Sequence, residues 1–269
     1  CIRDRRNIDR KVLEYSPSAG YRSYREKLVG YYAKFNINLT ADDIIITSGG
    51  SEAVLFSFLS CLNPGDEIIV PEPAYANYMA FAISAGAKIR TIATTIEEGF
   101  SLPKVEKFEE LINERTKAIL ICNPNNPTSS QIDRQSMRII LDTCKEKGIF
   151  VMVDETYVEF SEKADEITSI PLTNYYNNII ILRGISKFFA APGLRLGYAI
   201  CGNHQLLQDI DSKKNPWTIN SLAAVAGEIM FQDKEYIHDT KELISSERRR
   251  ICGILDKCPN LSLIHISEP

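Results

Sequence analysis

From residue 40 onward, short runs of aliphatic and β-branched residues alternate with longer stretches whose apolar positions recur at helical spacing. This alternation is typical of βαβ units and predicts a largely parallel sheet with helices between its strands. The predicted strands are Ile44–Thr47, Glu67–Val70, Lys88–Ile92, Lys117–Cys122, Ile149–Val153, Ile179–Leu182 and Leu196–Cys201. The fold class predicted from the pattern is therefore α/β.

The clearest helix in the pattern is the segment DRQSMRIILDTCKEKG. Asp133 can cap its start, Met137 and Leu141 lie on its apolar face, and Gly148 can end it. After Trp217 the pattern is helical as far as the C-terminal tail. A change in the spacing of apolar residues near Phe231 predicts a domain boundary there.

Composition favours a small-molecule ligand over nucleic acid or membrane. The chain has 269 residues and a net charge of −4 with acidic and basic residues interspersed, so no basic surface for nucleic acid is expected. No apolar run approaches the roughly 18 residues of a membrane span, and no signal peptide is expected. The seven cysteines lack C-x-x-C spacing, which favours free thiols in a cytoplasmic protein without a metal site.

Polar residues follow five of the predicted strands, and in an open parallel sheet ligands bind beyond the carboxyl ends of the strands. After the first strand, Gly50, Ser51 and Glu52 open a helix and can bind a phosphate through free backbone amides and a hydroxyl, although Ser51 as a simple helix cap is the commoner explanation. After the second, PEPAYANY places Tyr75 where it can stack on a flat heterocycle or pack in the core.

The other three strands end in NPNNPT, DETY and RGISK. Asn126 can donate to a ligand oxygen or only form a turn, and Asp154 can serve a ligand or cap a helix. Lys187 lies in an apolar setting, where either its stem packs on the surface with the ammonium in water or its amine forms a Schiff base with a carbonyl compound. Arg195 has the planar fork that suits a phosphate.

One ligand accounts for all of these groups together. It has an aldehyde for Lys187, a phosphate for Arg195, a flat ring, a phenolic oxygen and a ring nitrogen for Asp154. Pyridoxal 5'-phosphate has these parts. With its ring nitrogen kept protonated by Asp154, it is an electron sink for a carbanion at the α-carbon of an amino acid.

In these residues and their order, the sequence resembles the class I and II aminotransferases, pyridoxal-phosphate enzymes of fold type I. The matching segments are YSPSAG, TSGGSEA, PEPAYANY, NPNNPT, DETY and SKFFAAPGLRLGY, and the resemblance covers about residues 11 to 258. It implies a three-layer sandwich around a mostly parallel seven-stranded sheet, with an incomplete small domain. Parts of the sequence look most like the histidinol-phosphate aminotransferase and threonine-phosphate decarboxylase branch.

The resemblance also implies roles for individual residues. Lys187 would form the Schiff base and shuttle the proton, and Asp154 would pair with the ring nitrogen. The remaining cofactor contacts would come from Tyr157 and Asn126 at the ring oxygen, Tyr75 on the ring face, and Arg195, Ser186, Gly50 and Ser51 at the phosphate, with Glu52 beside them. Tyr15 matches a tyrosine that reaches the phosphate of a neighbouring subunit, so a homodimer is expected.

The activity implied is transfer of an amino group between an amino acid and a 2-oxo acid. An alternative is an amino-acid decarboxylase of the threonine-phosphate type, which would release carbon dioxide. A second is the aminotransferase-like domain of a transcriptional regulator, which an upstream winged-helix segment would reveal. Which amino acid is the substrate does not follow from the sequence.

The sequence departs from the family pattern at one motif position and at both ends. Gly184 stands where many relatives have Ser or Thr, which removes a phosphate hydroxyl and leaves Ser186 to compensate. We expect an incomplete N-terminal segment (1–39), a large cofactor domain (40–232), the start of a truncated small domain (233–260) without the carboxylate-binding arginine, and an adapter-derived tail, LSLIHISEP (261–269). This chain alone should therefore transaminate poorly even if it binds the cofactor.

Overall fold

The computed structural model describes residues 14–257, and within them the chain forms one seven-stranded sheet with helices on both faces. The strands are β1 Ile44–Thr47, β2 Glu67–Glu72, β3 Lys88–Ala93, β4 Thr116–Cys122, β5 Phe150–Asp154, β6 Ile179–Gly184 and β7 Gly197–Ile200. The α-helices are α1 Arg22–Ala33, α2 Gly50–Cys61, α3 Asn77–Ser84, α4 Val105–Leu111, α5 Arg134–Glu146, α6 Ala164–Ile167, α7 His204–Lys213, α8 Ser221–Met230 and α9 Lys234–Leu255.

All seven predicted strands are confirmed, with ends that differ from the prediction by at most two residues. β2 and β6 run further than their apolar residues indicate because their ladders continue: Glu72 pairs with Ala93, and Gly184 pairs with Gly197. β5 includes Asp154 because its backbone still pairs with Cys122 on β4. Backbone pairing therefore extends into the polar residues that form the site.

The strand order is β1-β7-β6-β5-β4-β2-β3. β7 is antiparallel to both of its neighbours, β1 and β6, and every other pair is parallel. The predicted, mostly parallel sheet is thus confirmed. It follows that the loops after β1, β2, β4, β5 and β6 all leave the same edge of the sheet.

Successive strand residues are buried on opposite faces, which produces two separate hydrophobic cores. Val151 and Val153 of β5 contribute to one core together with Met137 of α5, whereas Met152 contributes to the other together with Phe58 of α2. Strands covered on both faces have continuous aliphatic sequences, as GIFVMV does here. The expected three-layer sandwich is confirmed.

The predicted ends of α5 are confirmed as well. The Asp133 carboxylate accepts a hydrogen bond from the Ser136 amide at 2.8 Å, and Gly148 follows the helix with a φ of 67°. Both features follow from the ordinary chemistry of helix ends: a short acidic cap at the start, and a glycine that adopts the left-handed conformation without strain.

A close backbone contact holds the loop between β1 and α2 against β7. A Cβ atom on Gly197 would lie 2.6 Å from the Gly50 nitrogen and 2.8 Å from the Arg183 carbonyl oxygen, so only glycine fits there. This contact fixes the start of α2 beside the ends of β6 and β7, where the candidate site lies.

The long helix α9 follows the predicted boundary and packs on the loops beside the site. Tyr236 donates to the Phe188 carbonyl at 3.2 Å, and Arg248 donates to the Phe160 carbonyl at 2.9 Å. The division of the chain at residues 232 and 233 remains a prediction. The N-terminal segment before Glu14 and the proposed adapter tail lie outside the described residues.

None of the helices that the structure describes is long and apolar enough to cross a membrane. Between residues 14 and 257, no cluster of His, Cys, Asp or Glu could hold a metal ion. The cysteines in that range are free.

Candidate active site

A pocket of about 780 Å³ opens at the edge of the sheet where the parallel strands end. Nine residues that the sequence singles out line it: Gly50, Ser51, Tyr75, Asn126, Asp154, Tyr157, Ser186, Lys187 and Arg195. They come from loops that follow five different strands, and the parallel sheet is what brings them together. The pocket is large enough for a small molecule but is not an enclosed core cavity.

Lys187 is the only lysine among the residues that line this pocket in the described chain. It lies just beyond β6, between the half-buried Ser186 and the buried Phe188, and its own side chain is exposed. Its Nζ atom is 5.8 Å from the centre of the Tyr157 ring. The amine therefore lies at the pocket, beside the Tyr157 ring.

Tyr157 and Asn126 form a polar wall next to this amine. Burial raises the pKa of Tyr157, and the positive charge of Lys187 offsets part of that rise. The phenol is therefore protonated at neutral pH. Asn126 Nδ2 donates to the Tyr157 hydroxyl at 3.2 Å, so the two side chains can present donors to one ligand oxygen.

The asparagines of NPNNPT differ in position: two form turn and interior hydrogen bonds, and one lies at the pocket. Asn123 is buried and donates to the carbonyls of Ile132 and Ile167 at 3.1 and 3.2 Å. Asn125 accepts from the Thr128 amide at 3.1 Å. Of these three asparagines, only Asn126 lines the pocket.

Asp154 ends β5 at the pocket and is 9% exposed. Tyr78 donates its hydroxyl hydrogen to Oδ2 at 2.7 Å, and the Thr156 amide donates to Oδ1 at 3.0 Å. Because both carboxylate oxygens accept a hydrogen bond, the orientation of the carboxylate is fixed. Such a carboxylate can hold a proton on a ligand nitrogen.

The sequence pattern assigns no role to Tyr78, the second tyrosine of PEPAYANY. Its side chain is 2% exposed, and burial is the largest cause of a pKa raised above the usual value for tyrosine, followed by the charge of Asp154. Tyr75 precedes α3 and Tyr78 lies in its first turn, and this spacing of three residues was the signal available in the sequence. It did not reveal that the hydroxyl of Tyr78 reaches a carboxylate from another strand.

The opposite end of the pocket suits an anion. Gly50 is the first residue of α2, so its free amide belongs to the positive end of a helix dipole. Arg195 lies beside it in a left-handed conformation with a φ of 53° and donates to the Pro192 carbonyl at 3.1 Å. Gly49, with a φ of 87°, leaves room for the guanidinium, since a Cβ atom there would overlap Arg195 Nη2.

Tyr75 provides an aromatic surface on the pocket wall. Its ring meets that of Tyr78 edge-on at 5.4 Å between centroids, and its hydroxyl accepts from Asn77 Nδ2 at 2.6 Å. The side chain is 37% exposed, which leaves part of the ring accessible to a flat ligand.

Two of the predicted site residues lie away from the pocket wall. Glu52 accepts from the Ser48 amide at 2.6 Å and lies 3.9 Å from Lys214 Nζ, so its carboxylate stabilises the loop before α2 and is not brought to the pocket. Tyr15 is 77% exposed, and its ring lies 5.0 Å from that of Trp217.

A mostly parallel seven-stranded sheet with this lysine, aspartate and arginine at its carboxyl edge is the architecture of the pyridoxal-phosphate enzymes of fold type I. The chain belongs to the family of class I and II aminotransferases, whose model matches residues 2–269.

Relatives in this family have several different names. The chain is 31% identical to the aspartate aminotransferase of Pyrococcus horikoshii over 98% of its own length and 68% of that protein. It is 32% identical to a histidinol-phosphate aminotransferase of Caldanaerobacter subterraneus over 86% of its length and 63% of that protein. A protein of the same species, provisionally named threonine-phosphate decarboxylase, is 29% identical over 87% of the chain and 61% of that protein.

Solved structures give the same result for the fold. A single mutant of the aspartate aminotransferase of Thermus thermophilus superposes with a TM-score of 0.83 at 27% identity, over 94% of this chain and 66% of that one. The alanine aminotransferase of Pyrococcus furiosus superposes with a TM-score of 0.82 at 28% identity, over 95% and 67%. The chain thus spans about two thirds of the length of these relatives.

Proposed function

We propose that this chain is the cofactor-binding part of a pyridoxal-phosphate-dependent aminotransferase that moves an amino group between an amino acid and a 2-oxo acid. The observation that carries the proposal is the position of Lys187, Asp154 and Arg195 around one pocket. An amine, a fixed carboxylate and a guanidinium match the aldehyde, the ring nitrogen and the phosphate of the cofactor. Family membership supports the proposal, because class I and II aminotransferases use this cofactor.

The residues present fit the cofactor at both ends. At the phosphate end, the missing side chain of Gly49 lets the Arg195 guanidinium lie against the backbone just before α2, next to the residue that carries the free Gly50 amide. At the ring end, neutral donors orient both oxygens of Asp154. A protonated ligand nitrogen would supply the positive charge that balances this carboxylate. We propose that Tyr75 covers the ring and that Asn126 and Tyr157 bind its oxygen.

Each residue then has a defined task. When bound, the cofactor accepts the electron pair left on the substrate α-carbon as its proton departs. Lys187 Nζ removes that proton and later returns it. Asp154 keeps the ring nitrogen protonated, and the Tyr157 hydroxyl holds the neighbouring oxygen beside the amine.

The proposal can be tested in two stages. Pyridoxal 5'-phosphate added to this chain should produce the absorbance band of a lysine Schiff base, which borohydride should trap on Lys187 in a peptide map. The protein expressed over the whole reading frame that contains this chain should then convert an amino acid and 2-oxoglutarate to glutamate. Trapping at another lysine, or cofactor binding without amino transfer from any of the common amino acids, would contradict the proposal.

Decarboxylation is the second candidate, and the relative provisionally named threonine-phosphate decarboxylase is the observation that favours it. The same lysine and aspartate would serve either reaction, because both pass through a carbanion at the same carbon. The products separate them: a decarboxylase releases carbon dioxide and forms no 2-oxo acid.

We also propose a cytoplasmic homodimer in which Tyr15 reaches the phosphate site of the neighbouring subunit. The exposed Tyr15 and Trp217 rings, 5.0 Å apart, support this, because a paired aromatic surface of this kind suits an interface. Sedimentation equilibrium should give twice the mass of one chain. Tyr15→Phe should weaken cofactor binding without changing that mass. A monomeric mass for the wild type would rule out a contact between Tyr15 and the site of a neighbouring subunit.

Tyr78→Phe should lower the affinity for the cofactor about tenfold, because the buried Asp154 carboxylate loses the donor at its Oδ2 atom. The change should also lower the pKa of the ring nitrogen of the bound cofactor, since a less well oriented carboxylate holds the ring proton less firmly. The pH-dependent change in the cofactor's absorbance should then occur at lower pH. Spectra recorded from pH 5 to 9 measure both effects. Tyr176→Phe is the control, because that hydroxyl binds Asp142 at 2.9 Å on an exposed surface.

A further inference from the structure

Thr156 lies where three parts of the pocket wall meet. It follows Asp154 after β5, and its hydroxyl oxygen faces both the start of α2 and the end of β6. A Cβ atom built on Gly184 would be 3.5 Å from Thr156 Oγ1, and one built on Gly50 would be 3.6 Å from the same oxygen. The hydroxyl is therefore at the anion end of the pocket, although its residue belongs to the loop that carries Asp154.

Gly50 and Gly184 contribute backbone atoms, but no side chain, to the part of the pocket wall around Thr156. The Cβ position of Gly50 is only 3.4 Å from the Cα atom of Gly184, so the two backbones nearly touch. The methyl group of Thr156 lies 3.5 Å from the Cβ position of Gly184 and fills the remaining space beside it. Thr156 thus supplies the polar side-chain atom that neither glycine can provide.

Three serine and threonine side chains line this pocket: Ser51, Thr156 and Ser186. None of them makes a hydrogen bond to another residue in the part of the chain that the structure describes. These hydroxyls are therefore available to a ligand, and in a pocket that Arg195 also lines they match a group with several negatively charged oxygens.

We propose that Thr156 Oγ1 donates a hydrogen bond to the phosphate of the cofactor and so supplies the hydroxyl that Gly184 lacks. This inference rests on the proposed function. It replaces the expectation that Ser186 alone compensates for Gly184. Thr156 in the sequence DETY then binds the phosphate, while Asp154 and Tyr157 bind the ring.

The test compares two ligands that differ only in the phosphate group. Thr156→Val keeps the shape of the side chain and the backbone amide that binds Asp154, and removes only the hydroxyl. The variant should bind pyridoxal 5'-phosphate about ten to a hundred times more weakly, as expected for a lost hydrogen bond to a charged acceptor. Its affinity for pyridoxal, measured by the same absorbance titration of the cofactor-free chain, should be unchanged.

Two further variants serve as controls. Thr156→Ser retains the hydroxyl and should bind the phosphorylated ligand as the wild type does. Thr143→Val removes a hydroxyl that binds the Ile139 carbonyl at 2.9 Å on α5, away from the pocket, and should change neither affinity.

The inference is overturned if Thr156→Val binds pyridoxal 5'-phosphate as tightly as the wild type. It is also overturned if the affinities for both ligands fall equally, because the residue would then act through Asp154 or the shape of the pocket. A wild-type chain that binds neither ligand would reject the proposed function itself, and the role of Thr156 with it.

Discussion

Lys187→Ala should lower the rate of amino transfer by about a thousandfold or more, the range expected when a positioned acid–base group is removed from a reacting carbon. The described pocket contains no other lysine that could take its place. The substitution should leave the fold intact, because the side chain is exposed and its loss creates no cavity in either core. The rate is measured in the protein expressed over its whole reading frame, with the urea unfolding midpoint recorded in parallel.

Chemical rescue distinguishes a proton-transferring lysine from one that only shapes the pocket. A small primary amine such as ethylamine should restore part of the activity of Lys187→Ala. It should restore none of the activity of a variant whose loss of activity has another cause. Lys117→Ala is the matched control, since Lys117 Nζ binds the Glu114 carbonyl at 2.8 Å, outside the pocket. Full turnover by Lys187→Ala without added amine would show that the assignment of this lysine is wrong.

The sheet could be predicted from the sequence because its strands, apart from the partly exposed edge strand β3, are buried on both faces. Runs such as IIIL in β6 and AILIC in β4 contain no polar residue, and polar turns separate them from amphipathic helices. The ends of β2, β5 and β6 were less predictable. There the backbone ladder continues through Glu72, Asp154 and Gly184, which carry no hydrophobic signal.

The residues of the site were predictable for a related reason: parallel strands end at one edge, so the residues that follow them meet. This argument located Asn126, Asp154 and Lys187. It could not locate contacts that depend on side-chain direction. Glu52 follows β1 as Ser51 does, yet its carboxylate turns to Ser48 and Lys214.

Arg183 shows what sequence patterns miss in the interior. It precedes GISK at the end of an aliphatic strand and would ordinarily be placed at the surface. Instead it is 5% exposed, with Nη2 at 2.8 Å from Glu155 Oε2 and Nη1 at 3.2 Å from Glu159 Oε1. Its partners come from the loop after β5, and no regular spacing in the sequence connects them.

Arg183→Met should reduce the free energy of unfolding by about 3–5 kcal/mol, because it leaves the fully buried Glu155 carboxylate without its cation. The amide of Ser169 and the hydroxyl of Thr168 still donate to that carboxylate, at 2.5 and 2.8 Å, but they carry no charge. In Arg183→Met/Glu155→Gln the buried charge is gone, so part of the lost stability should return. Urea unfolding of the two single variants and the double variant measures the coupling.

An exposed pair of the same chemistry supplies the control. Arg250 and Glu247 are 2.7 Å apart on α9, with side chains that are 59% and 47% exposed, and Arg250→Met should leave the unfolding midpoint unchanged. Equal effects at the two sites would show that burial does not set the strength of the Arg183 pair.

The buried pair also connects stability to the site, because Glu155 follows Asp154 directly and Arg183 lies four residues before Lys187 in the sequence. Their ion pair joins the end of β6 to the loop after β5, and those two segments present the amine and the carboxylate to the pocket. Arg183→Met should therefore weaken cofactor binding even under conditions where the variant is fully folded. The double variant should recover affinity together with stability; recovery of stability alone would show that the pair supports the fold without positioning Lys187 and Asp154.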